Sequence, residues 1–229
     1  MRWASTRLPG KLLATLWGAP VWTWAWQAAV RAGVGDVIVA VDDPRLAASA
    51  SRWGASWCAT SPDCATGTDR VAEVACGLEV DWVIGLQADE PLADVGAVRA
   101  MAAALAAGAP MVTAASPLQP EDAGRLSAVH IGVAHGRATG FARGAPPPAG
   151  SPRHHVGMYG WQRGVLLDVA SRPPTAAERA LGLEQLRALE AGIALHVVEV
   201  GARHRGVDTR DDLETLRGEA PPIRRPVRR

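Results

Sequence analysis

Charge of one sign is missing from this chain. Its 229 residues carry 24 Lys and Arg against 23 Asp and Glu, a formal net of +1. A molecule so balanced has no overall field for nucleic acid or an anionic membrane. No apolar run approaches the roughly 20 residues of a membrane span, and Met1 to Arg7 gives a basic start without the apolar stretch of a signal peptide. The expected setting is therefore cytoplasmic. Cys58, Cys64 and Cys76 are odd in number and form no C-x-x-C pair, which argues against a disulfide framework or a zinc knuckle and predicts buried or half-buried thiols. Lysine is nearly absent: Lys11 stands alone among arginines. The glycine-rich nucleotide loops are missing too. Gly10-Lys11 is followed by Leu12 and no glycine stands at position 5, so there is no Walker A loop; no G-x-G-x-x-G follows a strand, which excludes a dinucleotide oxidoreductase.

What is present is ample for a core. Hydrophobic residues make up 48% and charged residues 21%, outside the disordered range, and the length suits one domain with a small lobe. The pattern predicts a helix over 20–32 with Gly33 beyond it, a buried strand at 37–41, and a helix from Pro44 to Gly54 capped by Asp43. A short strand near 56–58, a helix over 69–78 and a strand at 82–86 follow, and Asp94 opens a helix to 107. Strand, polar loop and helix in repetition imply a mostly parallel sheet with helices on both faces. Residues 111–143 read as short strands with little helix; a strand at 155–161, one long helix over 175–191, a strand at 195–200 and a last element at 211–217 complete the chain. The remainder, 218–229, is a basic tail broken by proline and is expected to be disordered.

Ligands of open α/β sheets sit beyond the carboxyl ends of the strands, and three polar constellations fall there. Arg2, Ser5, Arg7 and Lys11 put four donors within ten residues, which suits a polyphosphate, although an ordinary solvated basic loop has the same look. Asp89-Glu90 ends a strand, where carboxylates commonly hold Mg²⁺ and equally often cap a helix. Asp208 in Gly206-Val207-Asp208-Thr209 precedes a helix, where an N-cap is the ordinary role.

Taken together these residues resemble a known family. Arg2-x-x-Ser5-Thr6-Arg7-Leu8-Pro9-Gly10-Lys11 is similar to the nucleotide loop of the 3-deoxy-manno-octulosonate (Kdo) cytidylyltransferases. The segments at 66–73 (TGTDRVAE), 87–91 (QADEP), 155–159 (HVGMY), 183–187 (LEQLR) and 206–209 (GVDT) follow in the family's order and spacing, from residue 2 to about 217. The resemblance implies a Rossmann-like α/β nucleotidyltransferase fold with a mostly parallel sheet, a single domain over 1–217, and a small β-rich lobe at about 110–160 that carries a homodimer contact. It implies a reaction in which CTP and Kdo give CMP-Kdo and pyrophosphate with Mg²⁺, for lipopolysaccharide synthesis; a cytidylyltransferase for another 2-keto sugar acid and a non-catalytic relative are the alternatives.

The roles it implies are specific. Lys11, Arg7 and Asp89 are catalytic; Arg2, Ser5, Arg7, Lys11, Thr68, Asp69, Arg70 and Gln87 bind the nucleotide; Arg143, His155, Tyr159, Glu184 and Gln185 face the sugar acid; Asp89 and Asp208 hold the metal. The chain departs from the family's pattern at Cys64, Thr66, Ala88, His130, Ala142, His154 and Leu181. The family also opens with an apolar strand ending in Pro-Ala before the first arginine, so such a strand is expected upstream of Met1.

Overall fold

The computed structural model describes residues 1, 3, 7–118, 128–144, 149–201 and 204–221. The expectations for Arg2, Ser5 and the tail beyond 221 lie outside the described residues. In chain order the elements are a 3₁₀ turn Lys11–Leu13, β1 Thr15–Leu16, β2 Ala19–Pro20, α1 Trp22–Ala32, β3 Val39–Val41, α2 Pro44–Arg52, β4 Trp57–Ala59, α3 Gly67–Cys76, β5 Trp82–Leu86 and α4 Val95–Ala106. Then come β6 Met111–Ser116, β7 Val129–Ala134, β8 Arg137–Arg143, β9 Ser151–Gln162, α5 Arg163–Ser171, α6 Ala176–Leu181, α7 Gln185–Glu190, β10 Leu195–Glu199 and α8 Arg210–Arg217. Two compact units result, one from 1–74, 86–98 and 203–229, the other from 75–85 and 99–202.

The first unit is built on tryptophan. β1 and β2 form a hairpin whose two-residue loop, Trp17-Gly18, has positive φ at both positions (49° and 82°), the geometry of the tight turns that match strand twist. Trp22 and Trp24 of α1 are 1% and 0% exposed. Their indole N–H groups donate to Ser49 Oγ at 3.1 Å and to the Leu16 carbonyl at 3.0 Å, so neither is buried unsatisfied. Removing either indole should cost roughly 3–5 kcal/mol. Gly33 ends α1 in the left-handed conformation, as its position predicts. Asp43 caps α2 by accepting from Arg45 N. Leu213 and Leu216 of α8 enter the same core as Trp22, Trp24, Val41 and Leu46. β3 and β4 pair in parallel as a separate two-stranded sheet, with all three β4 residues exposed. Two thiols depart from expectation, Cys58 on this exposed strand and Cys76 at the end of α3 both being exposed, while Cys64 is half-buried as expected.

The second unit corrects the expected sheet. Its strands run in the order β5-β9-β6-β10-β8-β7, and β9 pairs also with β7, so five strands close on themselves. β6–β10 is parallel, but β6–β9, β7–β8, β7–β9 and β8–β10 are antiparallel, giving a mixed sheet rather than a mostly parallel one. Connectivity fixes one of these pairs: β7 returns directly into β8 through a two-residue loop, and strands joined that way must run antiparallel. β8 was not expected. It returns from β7 through His135-Gly136, again with positive φ at both positions (50° and 70°). β9 is twelve residues long, enough to pair with β6 through 154–161 and with β7 through 151–154.

The long helix expected over 175–191 is two helices. Gly182, at φ 62°, ends α6 and donates its N–H to the Glu178 carbonyl at 2.8 Å. α7 then restarts at Gln185, braced by a buried ion pair between Glu178 and Arg187, which are 5% and 4% exposed. A left-handed glycine inside a helical pattern is a stop signal, and here it wins over periodicity.

Candidate active site

In the first unit, Lys11 enters from the 3₁₀ turn that follows Gly10 (φ 69°). Its Nζ lies 2.5 Å from Asp89 Oδ2 and 3.0 Å from Asp208 Oδ1, and Arg7 Nη2 lies 3.0 Å from Asp208 Oδ2. The two carboxylates come from residues 119 positions apart, brought together where Val207 N–H donates to the Asp89 carbonyl at 2.8 Å. Gly206 permits that approach, since a Cβ there would stand 3.0 Å from Glu90 Oε1. Burial lowers the Lys11 pKa, but Asp89 and Asp208 outweigh it and hold the ammonium above its usual value. Burial likewise opposes ionisation of Asp208, and Lys11 and then Arg7 keep its carboxyl below the usual range.

Neither acid is merely a cap. The N-cap of α8 is Thr209, in a reciprocal capping box with Asp212, and Asp94 Oδ1 accepts from Ala97 N at the start of α4. Glu90 has a different state from its neighbour. Burial, then Asp89 and Asp208, push it up to about 8, and its Oε2 is enclosed without a hydrogen-bond partner among the described residues. That shift favours the neutral form at pH 7. Among the described residues no three His, Cys, Asp or Glu side chains gather as a metal cluster. Two carboxylate oxygens nevertheless fit a hard ion such as Mg²⁺, which keeps several waters and takes further oxygens from substrate phosphates.

Thr68, Asp69 and Arg70 stand at the start of α3. Asp69 Oδ2 accepts from Thr66 N at 3.0 Å while Thr66 Oγ1 accepts from Asp69 N at 3.1 Å, a capping arrangement at the start of α3. Thr68 is buried there, 6% exposed. The Arg70 guanidinium, 5% exposed, is committed to Asp42 at 3.2 Å, to Thr60 Oγ1 and to the Ser61 carbonyl. A guanidinium buried that far needs a carboxylate partner, and these contacts brace the 60–70 loop. Gln87 lies half-buried beside Asp89, its carbonyl accepting from Glu90 N.

The residues matched to the sugar acid all fall in the second unit. His155 and Tyr159 stand on β9 with ring centroids 5.4 Å apart, and Phe141 meets His155 edge-on at 5.3 Å. Arg143, on β8, donates to the Leu181 and Gly182 carbonyls at 2.8 and 3.2 Å, holding the turn that leads to Glu184 and Gln185. Tyr159 is raised well above its usual pKa by burial and by the Glu184 charge, with Arg143 opposing. Gln185 is 2% exposed, and its Nε2 is enclosed without a partner among the described residues.

A family model described as cytidylyltransferase matches residues 1–198. The 3-deoxy-manno-octulosonate cytidylyltransferase of Anaeromyxobacter sp. (strain Fw109-5) is 42% identical over 94% of this chain and 92% of its own, and that of Myxococcus xanthus (strain DK1622) is 39% identical over the same shares. The chain belongs to the 3-deoxy-manno-octulosonate cytidylyltransferase family. A solved structure of CMP:2-keto-3-deoxy-manno-octonic acid synthetase complexed with CTP matches with a TM-score of 0.87 at 34% identity, covering 95% of this chain and 94% of that one. This cytidylyltransferase accordingly has an α/β nucleotidyltransferase fold, and no helix among its described residues is long and apolar enough to cross a membrane.

Sequence reasoning read one residue of this family member only in part and missed another. Glu90 was legible as an acid, but its enclosure and neutral state were not. Thr113, on β6, is 0% exposed and touches His155; a threonine inside an apolar strand sends no signal of that contact.

Proposed function

We propose that this chain transfers CMP from CTP to the anomeric hydroxyl of Kdo, giving CMP-Kdo and pyrophosphate for lipopolysaccharide synthesis in the cytoplasm. The observation that carries the reading is the Lys11 ammonium shared by Asp89 and Asp208 beside Arg7. The likeness to relatives named for this reaction supports it.

Asp89 and Asp208 would hold a Mg²⁺, which when bound neutralises phosphate charge and polarises the α-phosphoryl group. Lys11 and Arg7 are the fixed cations for the triphosphate, with Arg2 and Ser5 in the same stretch of sequence and Gln87 beside the carboxylates. Such transfers gain most from positioning and from charge placed where charge develops. Thr68, Asp69 and Arg70 bind the nucleotide, on the loop their own contacts fix at the start of α3. His155, Tyr159, Glu184, Gln185 and Arg143 receive the sugar acid. Glu90, neutral and enclosed, adds no negative charge against the incoming phosphates. The chain acts as one cytidylyltransferase domain and as a homodimer through residues about 110–160; sedimentation as monomer alone at micromolar concentration would refute the dimer.

Pyrophosphate release with CTP, Mg²⁺ and a panel of 2-keto sugar acids tests the reaction. Release with Kdo is expected. Release only with another sugar acid would change the acceptor, and none with any acid would mean a non-catalytic member of the family.

A further inference from the structure

We propose that Thr113 is a positioning residue that fixes His155 in the tautomer protonated on Nε2, leaving Nδ1 to accept a hydrogen bond from a hydroxyl of the sugar acid. The proposal rests on the reading that His155 faces that substrate.

A proton count carries it. Thr113 Oγ1 has one hydrogen and gives it to the Met158 carbonyl at 2.8 Å, a group that only accepts. The same Oγ1 lies 3.0 Å from His155 Nε2. With its hydrogen already donated, the oxygen accepts there, so the proton of that contact belongs to Nε2. The ring is neutral: burial, then the positive influence of His154 and Arg143, lower its pKa to about 3. A neutral imidazole protonated on Nε2 carries a lone pair on Nδ1.

The arrangement depends on an irregularity in the sheet. Between Thr113 and Ala114 the β6–β9 register steps from Thr113–Tyr159 to Ala114–Val156, leaving Gly157 and Met158 unpaired on β9. A bulge of that kind re-aims groups next to it, and here the Met158 carbonyl meets the Thr113 hydroxyl. Phe141 and Tyr159 hold the ring from two sides. His155 Nδ1 has no hydrogen-bond partner among the described residues and is not among the fully enclosed atoms, whereas both ring nitrogens of His130 are enclosed. Nδ1 therefore remains open to a ligand group. An acceptor nitrogen takes a hydroxyl hydrogen and disfavours a carboxylate oxygen, so His155 reads a hydroxyl of the acceptor sugar. A site built to bond a hydroxyl discriminates strongly against analogues that lack it.

The test is ¹⁵N spectroscopy of histidine side chains in the full chain, with the His155 signals assigned by their loss in His155→Gln. In the free protein the downfield, unprotonated nitrogen should be Nδ1, and added Kdo should move it upfield. Thr113→Val should mix the two tautomers and raise KM for Kdo about fivefold with KM for CTP unchanged; Thr113→Ser should restore both. A wild-type spectrum with the proton on Nδ1 overturns the proposal whether or not a variant folds. The expected tautomer with an Nδ1 signal that Kdo leaves unmoved overturns the hydroxyl-accepting role, and continued pyrophosphate release would then show that the proposed reaction itself stands. Failure of the reaction is read separately, as no release by wild type, because the tautomer is measured without substrate.

Discussion

His155 should make the stability of this protein sensitive to acid well above the range in which carboxylates titrate. In the folded chain its pKa is lowered to about 3 from an ordinary 6.5, chiefly by burial. A group depressed in this way leaves the native state deprotonated while the unfolded chain takes up a proton, so stability falls as pH drops below 6.5 and continues to fall until about 3. Near pH 5 the loss from this group alone is about 2 kcal/mol relative to pH 8, approaching about 1.4 kcal/mol per pH unit. Two other shifted groups among the described residues act in the window. The Met1 amine, lowered from 8.0 to about 6 by burial, acts in the same direction at higher pH. Glu90, raised from 4.5 to about 8, acts in the opposite one, because its native form holds a proton that the unfolded chain has released. The clean quantity is therefore a difference: urea unfolding of wild type and His155→Gln side by side from pH 8 to pH 5. The variant's stability deficit should shrink by about 2 kcal/mol over that range. A deficit constant to within about 0.5 kcal/mol, well below that linkage term, would refute the neutral, buried His155.

Asp89→Asn, Asp208→Asn and Lys11→Met should each lower kcat by about 10²-fold or more while a thermal melt shows them folded, since the three groups meet at a site rather than in the apolar core. If Asp208→Asn keeps near-normal pyrophosphate release, the shared-carboxylate assignment is wrong. Arg187→Met leaves Glu178 as a buried, uncompensated charge and should cost about 3–5 kcal/mol in denaturant unfolding; a loss under about 1 kcal/mol, the scale of an exposed pair, would show that the pair is not enclosed in solution. Gly132→Ala places a Cβ 2.0 Å from the Ala149 carbonyl oxygen and should lower the melting temperature by several degrees, whereas Gly164→Ala, with nothing within 4 Å, should not.

The elements legible in the sequence were those whose ends are set by local chemistry. Asp43-Pro44, Asp94 and Gly33 mark helix boundaries through contacts within a few residues, and the structure puts caps at those positions. β5 coincides with its expected span because a short apolar run between polar turns has few other readings. The failures have two causes. The mixed sheet and the doubly paired β9 are decided by which distant strands meet, and periodicity carries no information about partners. The break at Gly182 was a local signal that lost to an apparently continuous helical pattern. His135-Gly136 was also local: a two-residue loop between two short strands is a hairpin signature, weakened here because histidine seldom takes the first, left-handed position.

The site shows the same division in its electrostatics. Each acid alone had an ordinary reading as a helix cap, and only the fold shows that Thr209 and Asp94 do the capping, leaving Asp89 and Asp208 to Lys11. Charge balance then gives the group its direction. Two carboxylates face two cations, Lys11 and Arg7, and Glu90 stays neutral, so the cluster as folded carries no net charge. A dication entering alone would have to displace Lys11 from both carboxylates and would leave that half-enclosed ammonium without its partners. A triphosphate entering alone would meet the carboxylates as like charges. With both bound, Lys11 and Arg7 would face the phosphates and Asp89 and Asp208 would hold the metal, so no charge at the site would lack a partner. On the proposed assignment Lys11, lying on both acids, would couple occupancy by the metal to occupancy by the nucleotide.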